Sequence, residues 1–181
     1  MFVDDFRVEP NTAPLLSTIA NRVIAKSSTT GTIPFFVDDL QTGSAAVALS
    51  ATSSNVALVP NGSVVLGGSG TSRTISITPL VGQTGITTIT LNASDSWLAS
   101  TTSFTVTVLT DMESWRQYYF GTTANRGDAA NLADIDADGF ENVLEYSLGL
   151  NPLLPDAGSA PAAVNEGGYL TMTISKRPGV I

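Results

Sequence analysis

The sequence predicts a mainly β fold, a two-layer sandwich followed by a small two-helix module. Three observations carry that prediction. Between Leu15 and Leu109, short runs rich in Val, Ile, Thr and Phe are bounded by Gly, Ser, Asn and Pro, with turn signals about every 8–12 residues. After Thr110 the apolar spacing lengthens from two residues to three and four, the helical period. The charge shifts at the same place. Residues 111–156 hold nine of the sixteen acids, with only Arg116 and Arg126 as bases. Residues 14–110 balance Asp38, Asp39 and Asp95 against Arg22, Lys26 and Arg73. Two modules of different character are joined.

Along the first module, strands are predicted at 22–26, 33–37, 45–51, 56–59, 63–66, 74–78, 87–93 and 103–108. Ile75/Ile77, Ile89/Leu91 and Phe104/Val106/Val108 alternate with Thr and Ser, so the apolar positions face a core and the hydroxyls face water. About 95 residues in seven or eight strands match the size of one immunoglobulin-like domain. The disulfide and core Trp of antibody domains are missing, so only the architecture carries over.

Several blocks in order over residues 11–110 carry a more specific likeness: NTAP, IANRVI, FFVDD, ALSATSSNVALVP, VVLGGSGTSRTISITP and QTGITTITLNASD. They resemble the tandem cadherin-like or Ig-like repeats of large bacterial surface proteins. Gln83 stands where such repeats often carry Asn, and the usual S-D-G turn is here Ser94, Asp95, Ser96 and Trp97. Asp38, Asp39 and Asp95 fall where these repeats carry acids near domain ends. True cadherins bridge repeats with calcium through such acids, but the full linker set is missing here. The resemblance implies an extracellular setting.

The start of the chain, residues 1–10, contains one alternating strand, VDDFRVE. It resembles the last strand of a laminin-G-like jelly roll, and Pro10 to Pro14 follow as a linker.

The second module spans residues 111–154. Asp111 can cap a helix reaching Tyr119, with Met112, Trp115 and Tyr119 on one stripe. A second helix over 142–148 stops at Gly149, with Pro152 beyond. It presents Val143, Leu144 and Leu148 on one face, and Trp115 is expected to pack against Leu144. Residues 155–181 are expected to form a Pro/Ala/Gly/Ser linker to 167 and then the first strand of a downstream β domain, with Leu170, Met172 and Ile174 alternating against Thr171 and Thr173.

Between the helices lies DIDADGFENVLE. Asp134, Asp136, Asp138 and Glu145 fall at positions 1, 3, 5 and 12 of a twelve-residue loop, with Gly139 at 6 and Asn142 at 9. That is the calcium-loop pattern of an EF-hand. Calcium is a hard cation that takes six to eight oxygens, and alternating carboxylates let one tight turn wrap it. Phe140, at position 7, needs to offer only its carbonyl. Without a cation the acids would repel one another. The expected ligands of Ca2+ are therefore Asp134, Asp136, Asp138, Phe140, Asn142 and Glu145.

Glu141 occupies position 8, where paired EF-hands carry an aliphatic residue, and no helix is predicted to enter the loop. With no second copy, the site resembles the solitary half EF-hands of dockerins and thrombospondin type 3 repeats. Extracellular sites of this kind bind at about 10⁻⁴–10⁻³ M, and four carboxylates argue for somewhat tighter binding. The segment SWRQYYFGTT through DIDADGFENVLEYSLGLNP also resembles a tail module of secreted environmental bacterial proteins that follows Ig-like repeats.

Composition bounds the function. The net charge of −8 disfavours nucleic acid and anionic membranes, which attract basic patches. Neither Cys nor His occurs, which removes thiol nucleophiles, Cys/His zinc sites and Ser-His-Asp triads. No apolar run has the length of a membrane span, and the acidic start is unlike a signal peptide. An exported chain of this kind is expected to be a piece of a larger protein. The sequence thus predicts a non-catalytic structural or adhesion module outside the cell. Its partners would be flanking domains of the same polypeptide, with surface glycans or other surface proteins as ligands. The alternative is a carbohydrate-binding region of a secreted polysaccharide-degrading enzyme, which needs an aromatic platform that Trp97 alone does not supply. An RGD tripeptide at 126–128 and sequons at Asn61 and Asn92 are short enough to recur by chance.

Overall fold

A computed structural model of the chain describes residues 10–155, 158, 161 and 163–173. The strand predicted within 1–10 and the residues after 173 lie outside that set. The chain divides into two compact units, Met1–Thr110 and Asp111–Ile181.

The first unit is all β. Its strands are β1 (Leu15–Leu16), β2 (Arg22–Ala25), β3 (Ile33–Asp38), β4 (Ala48–Ser53), β5 (Val64–Ser69), β6 (Ser72–Ile77), β7 (Gly85–Ser94) and β8 (Ala99–Leu109). They form two four-stranded sheets, ordered β1-β3-β6-β5 and β2-β8-β7-β4. This is the strand partition of an immunoglobulin-like sandwich. The predicted alternation sets the faces. Ile33, Phe35, Ile75 and Ile77 from one sheet meet Ile89, Leu91, Phe104, Val106 and Val108 from the other in one core.

Two features depart from the expected strands. The first strand of the sandwich is split: β1 pairs antiparallel with β3, while β2 pairs parallel with β8. And 56–59 is a turn. The Asn55 carbonyl accepts from the amides of Leu58 and Val59 at 3.1 and 2.8 Å, and the Asn55 side chain also accepts from Leu58 at 3.2 Å. Leu58 and Val59 are both buried, which neighbours on a strand facing a single core cannot be.

The second unit holds α1 (Asp111–Phe120), α2 (Asn142–Leu148) and a hairpin of β9 (Ala163–Glu166) and β10 (Tyr169–Met172). Trp115 is buried and meets the rings of Tyr119, Phe120 and Tyr146, with centroids 5.2, 5.7 and 5.8 Å away. Tyr146 thus takes the place expected of Leu144, which is 41% exposed. Helix α2 ends on Gly149 at φ 78, whose amide returns to the Glu145 carbonyl. The hairpin places β9 within residues expected to be linker.

Candidate metal centre

The loop between the helices turns on two residues in the left-handed region, Ala137 at φ 59 and Gly139 at φ 95. Within it, Asp134 accepts from the Gly139 amide at 3.0 Å, and Asp138 accepts from the Phe140 amide at 2.9 Å. These bonds fold the chain back on itself. One carboxylate oxygen from each of Asp134, Asp136 and Asp138 then lies within 4.8 Å of the others. Glu145 is not in that group at the same reach. It is buried on α2 together with Asn142, and Phe140 is half-buried.

Asn142 is the most constrained of the six residues. Its Nδ2 donates to the carbonyls of Asp128 and Ala130, each at 2.7 Å. Carbonyls only accept, so the amide nitrogen must face them, which points the oxygen elsewhere. That Oδ1 is buried and has no hydrogen-bond partner among the described residues. An uncompensated buried oxygen is costly, and a hard cation or its bound water would satisfy it. The donor set is all oxygen, as calcium requires.

No helix enters the loop. A 3₁₀ turn, Gly127–Ala129, and a second turn closed by the Ala133 amide on the Ala130 carbonyl at 3.1 Å precede Asp134. Arg116 of α1, only 7% exposed, donates through Nε to the Ala129 carbonyl at 3.1 Å and through Nη2 to Asn131 Oδ1. The sequence reading missed both residues. Arg116 lies four positions after Met112, on the stripe that should have marked it, but its charge placed it on the surface.

At the other acids, Asp95 is occupied in the β7–β8 turn. Its Oδ1 accepts from the Trp97 and Leu98 amides at 2.8 and 2.6 Å, and its Oδ2 from Asn11 at 2.7 Å. The Leu98 and Trp97 amides, helped by Asn11, hold its carboxyl below the usual range despite burial. Asp38 and Asp39 line a cleft of about 170 Å³ with Thr12, Ala13, Leu15 and Leu40, and Asp95 does not share it. These three acids form no metal cluster among the described residues. Trp97 is 87% exposed, and the RGD residues are exposed on the 3₁₀ turn.

No protein-family model and no curated protein matches the sequence. Among solved structures, the chain is similar to a chimeric titin Z1Z2 carrying a KLER peptide from decorin, at 16% identity and a TM-score of 0.42, over 57% of this chain and 100% of that one. It is similar to titin M4 at 12% identity and a TM-score of 0.43, over 56% and 100%. It is also similar to an endo-fucoidan hydrolase of glycoside hydrolase family 107, at 16% identity and a TM-score of 0.39, over 54% of this chain and 14% of that one. The immunoglobulin-like assignment rests on the strand order itself.

Proposed function

We propose that the loop from Asp134 to Glu145 binds one calcium ion, and that the chain is a non-catalytic structural or adhesion module of a larger extracellular bacterial protein. The observation that carries this reading is the convergence of the Asp134, Asp136 and Asp138 carboxylates. Those three side chains, the Phe140 carbonyl, Asn142 Oδ1 and Glu145 would hold the ion. Its charge would offset the repulsion among the acids. At a calcium concentration near 100 times Kd, binding adds about 2.7 kcal/mol to the stability of the bound form. For a unit with so few buried apolar residues, that is enough to turn a soft joint into a stiff one. Flanking domains of the same polypeptide are then its first partners, with surface glycans or surface proteins as adhesion ligands. Catalysis has no support in the residue set, which lacks His and Cys.

A calorimetric calcium titration of the chain and of an Asp134→Ala/Asp138→Ala double variant tests the proposal. One saturable site that the double variant abolishes is the expected result. No heat up to about 10 mM calcium, beyond the weak end known for extracellular modules, would sink it.

A further inference from the structure

We infer that Arg116 is the positioning residue of this loop and that calcium binding is coupled through it to the docking of α1. The inference rests on the calcium reading above. In an EF-hand the incoming helix sets where the first ligand stands. Here Asp134 is delivered by residues 128–133, which hold the end of a short 3₁₀ turn and a further turn but no α-helix. Their carbonyls show what holds them. Those of Asp128 and Ala130 accept from Asn142 Nδ2. That of Asn131 accepts from the Val143 amide at 3.0 Å, and that of Ala133 from the Asn142 amide at 2.8 Å. All four bonds come from the first turn of α2, which itself carries Asn142 and Glu145.

Besides the Asn125 side chain, which accepts from the Asn131 amide at 2.7 Å, a further anchor comes from outside that pair. Arg116 reaches from α1 to the Ala129 carbonyl and to the side chain of Asn131. A guanidinium bonds two acceptors at fixed geometry, which a lysine ammonium does not reproduce. Arg116 therefore supplies from the side what an entering helix would supply along the chain. Whatever orders residues 128–134 must favour the docked α1, and the docked α1 must favour the loop geometry. Linkage makes that coupling reciprocal.

Outer residues that orient metal ligands typically carry 10–100-fold in affinity. The test titrates the full chain with calcium chloride in the calorimeter, with a calcium-free melt of each variant by circular dichroism. Arg116→Met and Asn131→Ala should each weaken calcium binding about 10–100-fold. Arg116→Lys should fall between them and the parent, and Gln117→Ala, on the exposed side of the same helix, should not change it. The double variant Arg116→Met/Asn131→Ala should lose less than the two single losses combined, because both remove the same bond. A lower calcium-free melting temperature with an unchanged Kd in Arg116→Met would overturn the inference and leave Arg116 a stability residue. If Arg116→Met does not fold, Arg116→Lys and Asn131→Ala decide by the same criterion. If the parent chain binds no calcium, the calcium reading falls and this inference with it.

Discussion

Replacing Asn142 with alanine is the sharpest probe of how the second unit is held. The residue is fully buried, and its side-chain nitrogen makes two bonds of 2.7 Å to backbone carbonyls. Each such bond contributes about 1 kcal/mol net, and a buried carbonyl left without a donor costs about 1–3 kcal/mol. The Ala130 carbonyl keeps a second donor in the Ala133 amide at 3.1 Å, and Asp128 is an exposed residue whose carbonyl water can reach, so the two lost bonds set the scale. The sum is at least about 2 kcal/mol with calcium bound. In the calcium-free chain, removal of the unpartnered Oδ1 offsets part of it, so the comparison is made at saturating calcium. For a unit of some 70 residues, each 1 kcal/mol moves the midpoint by roughly 4–8 °C. Trp115 lies in this unit and Trp97 in the other, so a Trp97→Phe background lets tryptophan fluorescence follow the second unit alone. The expected result is a midpoint at least about 8 °C lower, with the first unit's transition unmoved. A shift below about 3 °C, under 1 kcal/mol, would refute the view that Asn142 ties 128–130 to α2.

Three further outcomes are expected. Ala137→Gly should stabilise the calcium-free loop by about 0.5–1 kcal/mol, since the left-handed strain of a non-glycine residue, roughly 1–2 kcal/mol, exceeds the entropic cost of glycine; thermal melts of the two forms measure it. Gly68→Ala should destabilise the sandwich by about 2–4 kcal/mol, because φ there is +81 and a Cβ would stand 2.4 Å from the Ser72 carbonyl oxygen; urea denaturation reads this directly. Asp95, with its carboxyl held low by the Leu98 and Trp97 amides, contributes stability that is fully present above its unfolded value near 3.8 and is lost as the pH falls through its lower folded value. Asp95→Asn should therefore flatten the acid limb of the first unit's pH–stability profile while leaving its shape above pH 5 unaltered, and a parallel acid limb in both proteins would rule the carboxylate out.

Alternation made most of the sandwich legible. Where a strand has one face on the core, a two-residue period names its inward side chains, and it named Ile75, Ile77, Ile89, Leu91, Phe104, Val106 and Val108. It failed at 56–59 because the V-A-L-V string hides an Asn55 turn whose bonds are local and polar. Alternation names the strand over Tyr169–Met172 but misses its partner β9, although Gly167 and Gly168, at φ 61 and 85, are a two-residue turn signal. In the second unit, helical spacing misled for a different reason. The face of α2 that turns inward carries Asn142 and Glu145, while Val143 and Leu144 remain partly exposed. Hydrophobic pattern locates α2 at 142–148 but cannot name the inward face of a helix whose buried side is polar. Local rules and the fold disagree there, and such disagreements cluster at functional sites. Acid spacing, by contrast, marked Asp134, Asp136 and Asp138, because a tight turn places alternate residues on one side.

The split first strand has a mechanical consequence. Tension applied through the two ends of the first unit pulls the start of β2 and the end of β8 in opposite directions. These strands run parallel, in register from Arg22 opposite Val106 to Ala25 opposite Leu109. The load therefore slides one strand along the other, and the pairs must yield together instead of opening in turn. Rupture under force is governed by the unfolding barrier and not by the equilibrium stability. A short ladder placed this way resists stretch out of proportion to the area it buries.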